Sequence, residues 1–246
     1  MQPEANVTDP HGAAYAPSLW AGKFVLRPFA DTDAPAFAAA VRESTDTVGR
    51  WMPWAAADYT QAQALEWFAV CRRSREQGTG HEFGIFDLAS DTLVGGAGLN
   101  QFNPLHGFCN LGYWVRETWH RRGAASSAAL ALIEFAFEQL SLTRLEIVVL
   151  TDNIASAATA RTVGATFECI ARNRLKHNGT PRDAWVFLSC QSQVVCPMAC
   201  NPNEPEQPIV LRRLLLLHSF LSTFALSGPT STSRARFEST NDRTAY

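Results

Sequence analysis

The chain has 246 residues, a formal charge of −2 and 46% hydrophobic residues. This is ordinary globular composition, long enough for one good core and a tail. The near-neutral balance argues against nucleic acid and against a basic membrane-binding patch. Residues 1–18, rich in Pro, Ala and polar residues, read as a flexible lead without the charged start and apolar run of a signal peptide. "KFVLRPF" (23–29) alternates as a first strand. "DTDAPAFAAAVRES" follows as a helix, with Asp31 or Asp33 as the cap and Pro35 in the first turn, where a missing N–H costs nothing. "RWMPWAAADY" is an aromatic loop broken by Pro53. Thr60 and Gln63 form a capping-box pattern before a helix that ends at Gly78. "HEFGIFDLASDTLVGGAGLNQF" gives two strands around a polar turn at Ser90–Asp91, and "FCNLGYWV" (108–115) a third. The Ala-rich segment after Gly123 is a helix, and "LTRLEIVVLTDN" (142–153) a β-branched strand. A short helix stops at Gly164, and a hairpin turning at Asn178–Gly179 closes the domain near Cys190.

The order is strand, two helices, three strands, helix, strand, helix, two strands. An α/β chain with a mixed sheet and helices on both faces accounts for it. The globular domain is therefore placed at 19–190. The tail, 191–246, is Pro-rich, then Leu-rich, then Ser/Thr-rich, and reads as largely disordered with one helix near 209–226. Its apolar run, Leu214 to Leu226, has 13 residues, too short for a membrane span, which needs roughly 20. Cys71, Cys109, Cys169 and Cys190 are scattered through apolar segments, as expected of reduced thiols in a cytoplasmic protein. Cys196 and Cys200 make one Cys-x-x-x-Cys pair without a second ligand pair nearby, so no metal is expected.

The stretch "HRRGAAS" joins the strand ending at Val115 to the next helix. The first N–H groups of a helix lack internal partners and carry the positive end of its dipole. Gly123 has no side chain to keep a ligand off the backbone. Ala124, Ala125 and Ser126 keep the approach low, and Arg121 and Arg122 add positive charge. Such a start suits a pyrophosphate. It equally suits a helix entry whose small residues pack against the sheet, and the motif alone leaves both open.

A longer set of landmarks runs in order. "FVLRPFADTDA" and "RWMPWAAADYT" come first, then "LVGGAGL" and "NLGYWV". After the glycine turn come "RLEIVVLTDNIASAATARTVGATFE" and "RNRLKHNGTPRDAWVFLS". In this order they resemble the GNAT superfamily of acetyl-CoA-dependent N-acetyltransferases, and within it the RimJ/RimL-like branch. The resemblance covers residues 19–190. It implies a central mixed sheet with a splay between two parallel strands. It also implies acetyl-CoA as acetyl donor, no metal, and direct attack of an amine on the thioester. The family's phosphate loop falls on His120, Gly123 and Ala125, with His120 replacing the usual Gln or Arg. The pantetheine arm is expected along Tyr113, Trp114 and Val115, and Asn153 matches an asparagine that contacts it. Ser156 matches a serine proposed to protonate the leaving thiolate; alternatively it is a small residue filling a tight contact. Backbone N–H groups on the splayed strand polarise the carbonyl.

Two positions where relatives place a glutamate base hold Asn110 and Leu175 here. Glu82, Glu117 and His106 are substitutes acting through a water, although each reads first as a solvated surface residue. A missing base favours an acceptor with its own neutral fraction: an α-amine at roughly 7.7–8.0 needs less help than a lysine at roughly 10.4. Trp51, Trp54 and Tyr59, with Trp67 and Phe102, are candidates to line the acceptor groove, Trp67 being the one that reads best as core. The acceptor is a protein N-terminus, as in the ribosomal-protein branch, or a small amine. The other class of reading is a non-catalytic acyl-CoA-binding module. A monomer or a homodimer fits either.

Overall fold

The computed structural model describes residues 18–191. The lead, nearly all of the tail, its expected helix at 209–226, and Cys196 and Cys200 lie outside the described residues. A short strand not expected from the sequence, β1 (Leu19–Ala21), turns into β2 (Phe24–Arg27). Its three residues are too few for any periodicity to register. Helices α1 (Ala34–Glu43) and α2 (Gln61–Glu76) follow. Then come β3 (His81–Asp87), β4 (Leu93–Asn103) and β5 (Phe108–Val115). Helix α3 (Ala124–Glu138), β6 (Arg144–Leu150), α4 (Ile154–Thr162), β7 (Thr166–His177) and β8 (Thr180–Cys190) complete the domain.

Local signals behave as their chemistry dictates, with one exception. The Thr60 hydroxyl accepts from Gln63 N–H at 3.2 Å, and the Gln63 side chain accepts from Thr60 N–H at 2.8 Å, closing the expected capping box. Asp33 stands at the start of α1 but does not cap it with its side chain. Its carboxylate is bidentate with Arg27, at 2.8 and 3.0 Å, and its Oδ2 also accepts from the Ala30 N–H at 2.8 Å, ahead of the helix.

The strands form one mixed sheet in the order β1-β2-β3-β4-β5-β6-β8-β7. Helices α1 and α2 cover one face through Phe37, Val41, Ala64 and Phe68. Helix α3 covers the other through Leu132, Ile133, Phe135 and Phe137, and α4 joins it with Ala157 and Ala160. Each large apolar side chain so buried contributes about 1.5–3 kcal/mol, and the alanines of α3 let it sit close to the strands.

The sheet is not continuous in its middle. Strand β5 stays paired with β4 from Asn100↔Asn110 to Gly95↔Val115, and β6 stays paired with β8 from Arg144↔Cys190 to Leu150↔Ala184. Between β5 and β6 the parallel ladder covers only Phe108↔Arg144, Cys109↔Leu145 and Asn110↔Glu146. Beyond Asn110 the two strands part, each held by its antiparallel neighbour. This is the expected splay, and it leaves the β6-facing edge of Leu111–Val115 without a ladder partner.

Candidate active site

The parting strands open a cavity of about 790 Å³, within the range of small-molecule sites. Leu111–Val115 and Ile147–Leu150 form two of its walls. Arg121 and Gly123–Ser126 come from the start of α3, and Asn153, Ser156 and Thr159 from α4. The connection between α1 and α2 adds Asp46, Arg50, Trp51 and Met52, and β7 adds Leu175.

Gly123 has φ 82°, left-handed backbone that other L-residues enter at a cost. A Cβ placed there meets nothing within 4 Å, so conformation rather than space selects glycine. The Ser127 N–H reaches the Gly123 carbonyl at 2.9 Å. The N–H groups of Ala124, Ala125 and Ser126 precede that bond and have no partner within the helix. The start of α3 is thus a small-residue, donor-rich wall of the cavity, suited to an anion. His120 is not a lost contact: its Nε2–H donates to the Val115 carbonyl at 2.9 Å and ties the loop to the end of β5. Arg122 departs from expectation. It is not on the cavity wall; its guanidinium stacks over Trp119 at 4.8 Å.

The loop is also held from α1, which nothing in the sequence signalled. Glu43 pairs with Arg116 and accepts from the Thr118 N–H at 3.1 Å and hydroxyl at 2.7 Å. The Arg116 guanidinium, with the Thr118 donors, holds the Glu43 carboxyl down to about 2. The buried Ser44 hydroxyl accepts from Glu117 N–H at 3.0 Å while donating to the Ala40 carbonyl at 2.7 Å. These bonds fix the chain between Arg116 and Thr118, just ahead of the glycine turn.

On the opposite wall, Asn153 caps α4: its Oδ1 accepts from Ser156 N–H at 3.1 Å. That leaves the Asn153 amide nitrogen as a donor on the cavity wall. Tyr113 reaches from β5 to α4, donating to the Ser156 carbonyl at 3.0 Å with its oxygen 3.2 Å from Ser156 Oγ. Burial pushes the Tyr113 phenol up, so it stays protonated. Ser156 lines the cavity with its hydroxyl beside the Tyr113 oxygen. The Tyr113–Ser156 pair joins positions far apart in sequence and was not legible there.

The aromatic candidates divide. Trp51 lines the cavity, whereas Trp54 is 43% exposed and stands beside it, edge-on to Trp114 at 5.8 Å. Tyr59 is buried against Phe37 in the α1–α2 core, so it lines no groove. Trp67 is 38% exposed, neither core nor site, because its position on α2 points it away from the sheet. Phe102 packs on the α3 face. Glu117 and His106 are exposed, as expected. Glu82 is not a solvated surface residue: it is half-buried within the sheet, its carboxylate lying over Gly98. Among the described residues no cluster of His, Cys, Asp and Glu is placed to hold a metal. None of their helices is long and apolar enough to cross a membrane.

Residues 23–166 match the family model for the acetyltransferase (GNAT) domain. The chain belongs to the GNAT acetyltransferase family. It is an acyltransferase whose acetyl donor is acetyl-CoA, and its relatives place it on the RimJ/RimL-like branch. The uncharacterised N-acetyltransferase YoaA of Bacillus subtilis is 28% identical over 171 residues, covering 70% of this chain and 95% of that one. A solved Vibrio cholerae protein, assigned by inference as a ribosomal-protein-serine acetyltransferase, is 30% identical with a TM-score of 0.62, covering 70% and 97% of the two chains. RimL, the ribosomal L7/L12 alpha-N-protein acetyltransferase solved with coenzyme A, shares the fold at a TM-score of 0.65 and 20% identity, covering 71% and 98%.

Proposed function

We propose that this GNAT enzyme transfers acetyl from acetyl-CoA to the α-amine of a protein N-terminus, a ribosomal protein being the favoured class. The observation that carries the proposal is one cavity shared by a donor-lined helix start, an unpaired strand edge and the α1–α2 connection. The amides of Ala124, Ala125 and Ser126, with Arg121, are assigned to the pyrophosphate. The β6-facing groups of the Tyr113–Val115 edge, other than the Val115 carbonyl that His120 holds, hydrogen-bond the pantetheine arm, with the Asn153 amide beside it. An N–H on the same edge polarises the thioester carbonyl as its oxygen gains charge. Ser156, held by Tyr113, supplies the proton to the leaving sulfur. Asp46, Arg50 and Trp51 form the acceptor's approach, where an acidic side chain and a guanidinium lying over an amphipathic ring suit a peptide end. The name of the Vibrio cholerae relative supports the ribosomal class.

The test is thiol release from acetyl-CoA over peptides with different first residues, alongside small amines. Release with peptides above that with small amines is expected. Release only with small amines removes the protein-acceptor reading.

A further inference from the structure

The two positions expected to hold a base carry Asn110 and Leu175, yet a carboxylate reaches the same face of the sheet by another route. Across β3, β4 and β5, Glu82, Gly98 and Gly112 stand in one register row. A Cβ at Gly98 would lie 2.0 Å from Glu82 Oε2, so glycine is required there for the carboxylate to reach past its own strand. The carboxylate thus sits one strand spacing, about 4.8 Å, from the Gly112 strand. Gly112 lines the cavity, and a Cβ there would meet only the amide nitrogens of Asn110 and Asn100, at 3.9 and 4.0 Å. The space above Gly112 is therefore bounded by these two amides, with no atom closer.

An amide chain from a neighbouring register pair, Asn100↔Asn110, holds the carboxylate. Asn100 Nδ2 donates to Glu82 Oε1 at 3.0 Å, and Asn110 Nδ2 donates to Asn100 Oδ1 at 2.9 Å. A carboxylate only accepts, so it orients both amides in turn and leaves Asn110 Oδ1 as the outer acceptor. Asn110 is also the last β5 residue paired to β6, at the mouth of the splay. From α2, Arg75 donates to the Glu82 backbone carbonyl, and the Arg75 guanidinium and Cys71 thiol are the ionisable groups facing Glu82. Burial pushes the Glu82 carboxyl up, against the Asn100 bond and the Arg75 charge.

We propose that Glu82, Asn100 and Asn110 form the acceptor-amine seat: Asn110 Oδ1 orients the amine, and Glu82 takes its proton through one water above Gly112. The proposal rests on the acetyltransferase reading. The ammonium gives one proton to Glu82 through the water. The nitrogen lone pair then attacks the thioester carbonyl carbon and the C–N bond forms. The C–S bond breaks with its electron pair on sulfur, which takes a proton from Ser156. Ser156 is reprotonated from solvent, and Glu82 and the amide nitrogen release their protons to it.

The experiment compares the wild type with Glu82→Gln and Glu82→Asp, using the best peptide from the thiol-release panel. Wild-type thiol release with no amine overturns the acetyltransferase reading, separately from this one. With activity present, kcat/KM should fall at low pH through a carboxylate pKa above the usual range. E82Q should lose about 100-fold and lose that limb, while E82D keeps the limb at reduced rate. Calorimetry should show the peptide binding the CoA-loaded E82Q protein more weakly, with CoA affinity unchanged. If E82Q does not fold, the E82D limb and peptide affinity decide. A variant with wild-type rate, pH profile and peptide affinity overturns the proposal.

Discussion

Gly123 offers a perturbation whose structural and ligand effects separate. Its φ of 82° makes Gly123→Ala cost about 1–2 kcal/mol in backbone strain, while a methyl group there meets nothing within 4 Å. For a domain of this size that lowers Tm by about 2–8 °C. CoA affinity should barely change, because the proposed donors are the N–H groups of Ala124 to Ser126. Gly123→Glu carries the same strain and adds a carboxylate at the cavity wall. At about 5 Å from a phosphate charge, with an effective dielectric between about 20 and 80, repulsion is about 1–3 kcal/mol. That weakens CoA by about 5- to 150-fold relative to G123A. Calorimetric titration of CoA into both variants is the assay. Equal affinity of G123E and G123A would falsify the placement of the pyrophosphate at this turn.

Three further outcomes follow from the same geometry. Ser156→Ala should lower kcat about 10-fold or more with little change in acetyl-CoA affinity, measured by steady-state thiol release. Tyr113→Phe should give a smaller loss in kcat of the same kind, since it removes the group that holds Ser156 rather than the donor. Glu43, held at about 2 against an ordinary 4.5, stabilises the fold fully above about pH 4.5 and loses that contribution as pH falls through about 2. Glu43→Gln should cost about 1–2 kcal/mol at pH 7 and flatten that acid slope, read by urea unfolding at several pH values.

What the sequence disclosed was local. The Thr60–Gln63 capping box and the Asn178–Gly179 turn, with φ 47° and 78°, depend on neighbouring residues and stand as read. The ordered landmarks from "FVLRPF" to "TDNIAS" carried the fold and the family. What stayed hidden depends on pairs distant in the chain. The Glu43–Arg116 clamp, the Tyr113–Ser156 pair and the Glu82–Asn100–Asn110 hydrogen-bond chain exist only once the sheet register is set. Tyr59 shows the reverse failure. An aromatic loop is a fair place to expect a groove, but Tyr59 folds back onto Phe37, where burial outweighs exposure to a ligand. Arg122 likewise lies over the face of Trp119, a contact between neighbours that the charge pattern did not disclose.

Transfer of acetyl to an α-amine is read directly from the position that carries the acetyl group. A peptide bearing both a free N-terminus and an internal lysine is incubated with acetyl-CoA and the enzyme, and the acetylated position is mapped by tandem mass spectrometry. Acetyl is expected on the N-terminal nitrogen, with free thiol released in equal amount. Acetyl on the lysine alone, or thiol released without acetylated peptide, would contradict it.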